Sequence, residues 1–397
     1  MAEDPALRRP QRWAVLAAYT FVLGVSQMLW LNFAPLIGLV KARYGVSEEL
    51  ASALIFVFPL LFVVLSVPAG ALIDRRGYRF AVGAGAVLMA SSSLVRIADT
   101  SFWCLLAGQI GVAIAQPFVS NGISKIVADW FSEEHGAVAT GLGTMGMFIG
   151  MALGMAATPP LVDATSLRTA MVVFAAITAA SAVVFLLVVR PNDQRAAPAA
   201  STDEARFGPL LADRGLRLLL ALSFLGLGVF NGVTTWLEQI LAPRGIDAEH
   251  AGLVGGAIIV GGILGAVAIP AISDATRRRK PFLILCSAAA LATIYPLCTS
   301  GDLTTLLVLG ALLGFLFLPA YALLLEMSAQ IAGLRAAGAA TGLLMLAGNA
   351  GGVVVVLAMP IIKGSGSDYH PAVLFLTGLL GLLVVFSLFA PETFARD

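Results

Sequence analysis

Charge is what this sequence has least of. Asp, Glu, Lys and Arg make up 12% of its 397 residues, while 59% are hydrophobic. A water-soluble domain covers itself with roughly a quarter charged residues, so this composition excludes one. Cysteine is also scarce. Cys104, Cys286 and Cys298 all fall in apolar stretches, an odd set at no metal-ligand spacing, which excludes a disulfide framework and reads as small core packing. The three histidines, His135, His250 and His370, lie in separate loops and cannot assemble a metal site or a catalytic pair. Neither an enzyme nor a cofactor is expected. A net charge of +1 gives no concentrated basic face for nucleic acid.

What the chain does have is long apolar runs, and a mean hydropathy of +0.93 to match. Crossing about 30 Å of hydrocarbon takes roughly 20 helical residues. Only a helix or a closed barrel satisfies its own backbone there, and runs that are continuous rather than alternating select helices. Twelve runs of that length fall near 13–40, 49–73, 80–98, 102–128, 137–162, 169–189, 216–242, 251–273, 281–299, 304–328, 337–362 and 372–390. An all-α integral membrane protein in a lipid bilayer is the expected class. Of the 24 Lys and Arg residues, all but Lys41, Arg43, Arg96, Arg168, Arg244 and Lys363 fall on one side of this pattern. The positive-inside rule then places both termini in the cytoplasm, which an even number of spans requires. The polar start, Met1 to Arg12, and a first run too long for a signal-peptide core predict a first transmembrane helix and no cleavable signal. Short loops suggest the inner membrane of a bacterium, and a monomer is expected.

The polar, Pro- and Ala-rich stretch 191–214 divides the chain into residues 1–190 and 215–397, each with six spans. The halves echo each other. Gly70-Ala-Leu-Ile-Asp74-Arg75-Arg76-Gly77-Tyr78-Arg79 follows the second span, and Asp274 with Arg277, Arg278, Arg279 and Lys280 follows the eighth. An acid and a basic cluster at matching turns are expected of a duplicated transporter whose halves rock about a central site.

Gly70, Leu72, Asp74, Arg75, Gly77 and Arg79 resemble the G-x-L-x-D-[RK]-x-G-[RK] loop of the major facilitator superfamily. That resemblance implies two pseudo-symmetric six-helix bundles, with this loop as a cytoplasmic gate. Gly70 is expected to permit close helix approach and Asp74 to accept hydrogen bonds from neighbouring basic groups. Glu326 is expected to pair with Arg277 or Arg278 as the second half's counterpart.

A narrower resemblance lies in Trp30-Leu31-Asn32-Phe33 with Tyr44-Gly45-Val46, Gly108-Gln109 with Ala115-Gln116-Pro117-Phe118 and Trp130-Phe131, and Phe230-Asn231 through Glu238-Gln239. These segments are similar to the W-I-Q-Y…Y-G-V, G-Q…A-Q-x-F…W-F and F-Y-x-V-x-T-x-L-N-Q patterns of FLVCR-type transporters. That resemblance implies a choline- or ethanolamine-like substrate, with Trp30 and Gln116 at its site. Asn231 stands where the family has Tyr, which removes half of an aromatic cage for a quaternary ammonium. Asn349 stands where it has Gln, which keeps an amide.

The residues themselves lead to a similar cavity. Polar groups deep in a bilayer are costly unless they face protein or water. Gln27, Trp30 and Ala34 share a face of the first span, and Asn231, Thr234, Thr235 and Glu238 a face of the seventh. Gln116 and Ser120, Thr140 and Thr144, Tyr321, and Met345 with Asn349 complete the candidate lining. Amides and hydroxyls also serve as hydrogen-bonding glue between helices, which competes for Ser120, Thr140, Thr144 and Asn349. Trp13, Trp103 and Trp130, near span ends, read as belt anchors. Glycines at 146, 150 and 154, and at 261 and 265, read as helix contacts. Prolines 35, 68, 117, 270 and 319 read as kinks.

A cation-attracting ring at Trp30, an acid at Glu238 and no central Arg or Lys favour a small cation or zwitterion over a carboxylate. No span centre holds an acid with a basic partner, which favours facilitated or weakly coupled transport. Three alternatives stand beside this. A multidrug exporter would use Met145, Met147, Met151 and Met155, and a proton-coupled monocarboxylate transporter would need Arg96 or Lys125. A membrane sensor would move nothing.

Overall fold

The computed structural model describes residues 9–98, 100–131, 133–189, 207–332, 337–364 and 369–394. Among them, twelve helices are long and apolar enough to cross a membrane. They are α1 (Gln11–Tyr44), α2 (Glu48–Ile73), α3 (Arg75–Val95), α4 (Phe102–Val127), α5 (Met145–Ala164), α6 (Leu167–Val188), α7 (Arg214–Arg244), α8 (Ala248–Ala275), α9 (Lys280–Thr299), α10 (Leu303–Ala332), α11 (Ala340–Lys363) and α12 (His370–Phe389). No strand occurs among the described residues, and the fold is all-α. Packing divides the chain into two compact units, Met1–Phe33 with Ala53–Ala200, and Ala34–Ser52 with Ser201–Asp397.

Helix starts follow local chemistry. Side chains of Ser166, Asp213, Asp247 and Asp302 accept the backbone N–H three residues on, at 3.1, 2.7, 2.8 and 2.8 Å, so each covers one of the amides a first turn leaves unpaired. Proline sets two of the breaks. At Pro35 α1 leaves the α-helix for a 3-10 turn, Ala34–Leu36, before resuming at Ile37. Ala34 therefore does not continue the face of Gln27 and Trp30. In α4, Pro117 precedes a turn at Asn121, whose amide donates to Ser66 O (3.0 Å) and Ser66 Oγ (3.1 Å) on α2.

Two segments differ from the sequence reading. The polar stretch 74–79 is not an open loop. Helix runs from Glu48 to Val95 and is broken at Gly77, whose φ of 79° and ψ of 157° suit only glycine. Phe207–Ala212, expected within the linker, forms a short helix. The rest of that linker lies outside the described residues up to Arg206.

Each unit is drawn together where glycine lets backbones touch. A Cβ at Gly150 would overlap the carbonyl of Gly24, and those at Gly146 and Gly154 would crowd Thr20 O and Met28 O, so one face of α5 lies directly on α1. In the second unit, Gly261 and Gly265 of α8 meet Ala311 and Phe315 of α10, Gly314 meets Ile258, and Gly351 of α11 meets Phe224 of α7. Lipid gives no hydrophobic drive for helix association, so close van der Waals contact has to supply it. Gly70 is a correction to the sequence reading: a Cβ there meets nothing within 4 Å, so it provides no close approach in this structure.

Gly150→Ala is expected to push α5 off α1 and cost roughly 1–3 kcal/mol. Gly70→Ala should leave stability unchanged. Thermal unfolding of both purified variants checks the pair.

Candidate functional site

In the first unit the polar residues form a ladder along α1. Trp30 is 7% exposed; its indole N–H donates to Ile55 O (3.2 Å), and its ring stacks on Phe58 at 6.2 Å. This fixes the ring and excludes a membrane-belt role. Gln27, one turn earlier, is buried, and its Oε1 has no hydrogen-bond partner. Both polar atoms of buried Asn32 are likewise unpartnered. Gln116 on α4 is also buried. Gln109 is the true interhelical glue: its amide donates to Leu29 O (3.0 Å) and Leu54 O (2.9 Å), joining α1, α2 and α4. Ser120 Oγ has no partner, and the side chains of Thr140 and Thr144 lie outside the described residues.

The second unit holds Asn231, Thr235, Glu238, Tyr321 and Asn349. Amide groups here turn back on their own helices. Asn231 donates to Leu227 O (2.8 Å) and Asn349 to Met345 O (2.9 Å), each four residues back. That leaves their oxygens out of the helix ladder, and it is not bonding between helices. Gly352 allows α11 against the Asn231 side chain, where a Cβ would sit 2.7 Å from Nδ2. Thr235 is fully buried with Oγ1 unpartnered. The partly buried Glu238 carboxylate accepts the Gly38 N–H (3.0 Å) and the neighbouring Gln239 amide, both neutral donors. Tyr321, on α10, is partly buried.

The two basic residues that an anion carrier would need have different fates. Lys125 pairs with Asp129 at 3.3 Å. Arg96 is 1% exposed, lies 5.0 Å over the Phe33 ring and reaches Met171 Sδ at 3.3 Å, with Nε and Nη1 unpartnered.

At the predicted gate, Arg75 and Arg79 are exposed beside the Gly77 break, and the Asp74 side chain lies outside the described residues. Trp130, just beyond α4, donates to Tyr78 OH at 2.5 Å and so ties that segment to the start of α3. In the second unit the organising basic residue is Arg279, which the sequence reading passed over in favour of Arg277 and Arg278. Its guanidinium lies 3.3 Å from Asp274 and 3.5 Å from Glu326, at 6% side-chain exposure. Arg277, two residues earlier, takes a φ of 49° in the turn just after α8. Glu392, beyond α12, was also missed. Its carboxylate accepts the N–H groups of Arg279 (3.0 Å) and Lys280 (3.2 Å), an anion at the positive end of α9. Phe394 lies 4.6 Å under the Arg279 guanidinium.

At the opposite ends of these helices, Tyr369 OH donates to Glu48 (2.5 Å). Burial, then that bond and the negative charge of Glu48, hold the Tyr369 phenol well above its ordinary range, so it remains a donor.

Glu392→Ala should remove the α9 cap and cost about 1–2 kcal/mol, while Glu392→Gln, which keeps an acceptor oxygen, should lose less. Thermal unfolding distinguishes the two.

The model of the Major Facilitator Superfamily matches residues 19–356. Solute carrier family 49 member A3 of Xenopus tropicalis is 26% identical over 373 residues, covering 87% of this chain and 77% of its own. The choline/ethanolamine transporter flvcr2a of Danio rerio is 23% identical over 385 residues, covering 90% of this chain and 81% of its own. The choline/ethanolamine transporter FLVCR1 of Felis catus is 24% identical over 388 residues, 91% of this chain and 69% of its own. Twelve membrane-length helices, the Asp74 loop and a family match over most of its length make this chain a member of the Major Facilitator Superfamily of membrane transporters, with FLVCR-type and solute carrier family 49 proteins among its relatives.

Proposed function

We propose that this protein is an alternating-access carrier of a small organic cation or zwitterion, an amine of the ethanolamine kind, moved by facilitated or weakly coupled transport. The observation that carries the substrate charge is Glu238, a carboxylate within α7 whose hydrogen bonds come from the neutral Gly38 N–H and Gln239 amide. Neither donor carries a charge that would compete with an ammonium for this carboxylate. Trp30, Gln27 and Gln116 on the first unit, and Asn231, Thr235, Tyr321 and Asn349 on the second, are the proposed substrate residues. Unpartnered oxygens on Gln27 and Thr235 supply acceptors for an ammonium N–H. Attraction of a cation to one ring contributes about 0.5–2 kcal/mol, so Trp30 orients and the amides select. Relatives named as choline/ethanolamine transporters support the amine class. Asn231, lacking an aromatic face, favours a primary over a quaternary ammonium.

In this reading both termini are cytoplasmic. Gly70, Asp74, Arg75, Gly77 and Arg79, with Asp274, Arg277, Arg278, Arg279 and Glu326, then form the cytoplasmic gate. One observation favours a second reading: the buried Arg96 has two guanidinium nitrogens, Nε and Nη1, without a hydrogen-bond partner, which suit a carboxylate. A zwitterion or a monocarboxylate would use it.

Thermal-shift screening against ethanolamine, choline, amino acids and monocarboxylates tests both readings, with Trp30→Ala and Arg96→Gln alongside. Saturating ligand, at about 100 times Kd, should stabilise the wild type by ~2.7 kcal/mol. The amine reading expects stabilisation by ethanolamine that Trp30→Ala abolishes. Stabilisation by monocarboxylates alone, lost in Arg96→Gln and indifferent to Trp30, would replace it.

A further inference from the structure

Residues 34–52 are unusual in their allegiance. They comprise the last part of α1, the turn after it and the first residues of α2, yet by packing they belong to the second unit, while the chain on both sides, to Phe33 and from Ala53, belongs to the first. Two ties hold this strap. The Gly38 N–H donates to Glu238 on α7 at 3.0 Å, with no room for a side chain at 38, where a Cβ would overlap the carboxylate. The second tie is Glu48, the first residue of α2. One of its oxygens accepts Lys363 Nζ at 2.8 Å, at the end of α11, and the other accepts Tyr369 OH at 2.5 Å, just before α12. Lys363 also lies 4.4 Å over the Tyr369 ring, and Lys41 approaches Glu48 at 3.6 Å.

This is not a solvated surface pair. The Glu48 and Lys363 side chains are 12% and 13% exposed, and Tyr369 is 1% exposed. In such surroundings a carboxylate that loses a partner is left with an uncompensated charge, so the cluster is held or released as a whole. Release of Glu48 would remove the side-chain tie that holds the α2 end of the strap to the ends of α11 and α12.

We propose that Glu48 is a gating residue of the transport cycle: its bonds to Lys363 and Tyr369 latch the 34–52 strap, and the latch opens and reforms as the carrier alternates. The proposal rests on the transporter class alone and not on the substrate. Under the orientation argued above, this latch faces the outside.

The test is thiol labelling of the purified protein. Val40 lies in the strap and is 1% exposed, so Val40→Cys in a Cys104→Ser background reports release; the remaining Cys286 and Cys298 are buried. Maleimide should label Cys at position 40 slowly when the latch is intact, and about tenfold faster with either Glu48→Gln or Lys363→Met. Combining the two should give no more than the larger single effect, because both break one interaction. Unchanged labelling in both single variants, or effects that multiply in the double variant, would overturn the proposal. Should neither variant fold, Tyr369→Phe carries the test, since it removes one hydroxyl and keeps the ring. Faster labelling supports the latch, and the rate of the intact latch overturns it. Labelling requires no substrate, so the result stands apart from whether an amine is carried.

Discussion

Backbone-to-backbone contact at glycine is the constraint on which the rest of each unit depends. Lipid is as apolar as the helices it surrounds, so apolar burial does not drive them together as it does in water. What holds α5 on α1 is that Gly146, Gly150 and Gly154 present bare backbone to Thr20, Gly24 and Met28. The same device joins α8 to α10 through Gly261, Gly265 and Gly314, and α7 to α11 through Gly351. The first and fifth spans of one half correspond to the seventh and eleventh of the other, so a duplicated plan repeats the contact. With backbones this close, side chains on the remaining faces fall in fixed places, and the polar ones on α1, α7 and α11 are positioned rather than loose.

Polar groups then divide by what the bilayer demands of them. Gln109 and Asn121 spend their amides on carbonyls of neighbouring helices and act as structure. Asn231 and Asn349 satisfy their donors one turn back on their own helices and keep an oxygen for other use. Gln27, Asn32 and Thr235 have buried polar atoms with no partner at all. Such atoms carry a desolvation cost in a core, which makes them the groups a polar solute can satisfy.

The fold was legible because the bilayer leaves few choices. Run length marks twelve spans, and the four-residue glycine spacing marks one face of α5 as a helix contact, although not that α1 is its partner. Local turn geometry was less legible. Four consecutive basic residues follow α8, and which of them reaches Asp274 and Glu326 depends on the fold of the turn, where Arg277 has a positive φ and Arg279 makes both contacts. Long-range partnership was not legible at all. Glu48 and Lys363 are separated by 315 residues, and no local pattern marks either as more than a helix-end charge. Nothing in the sequence around Gly38 marks it, yet the Glu238 carboxylate occupies the space its side chain would fill. Both belong to the segment that packs with the second unit although it is continuous with the first.

The central claim is that these polar groups serve the passage of a small amine without an obligatory ion gradient. Counterflow in proteoliposomes tests it most directly: vesicles preloaded with unlabelled ethanolamine, labelled ethanolamine outside, no imposed gradient, with and without a protonophore. The account predicts a transient, saturable accumulation of label that the protonophore leaves intact. No counterflow of any amine, or accumulation that the protonophore abolishes, would contradict it.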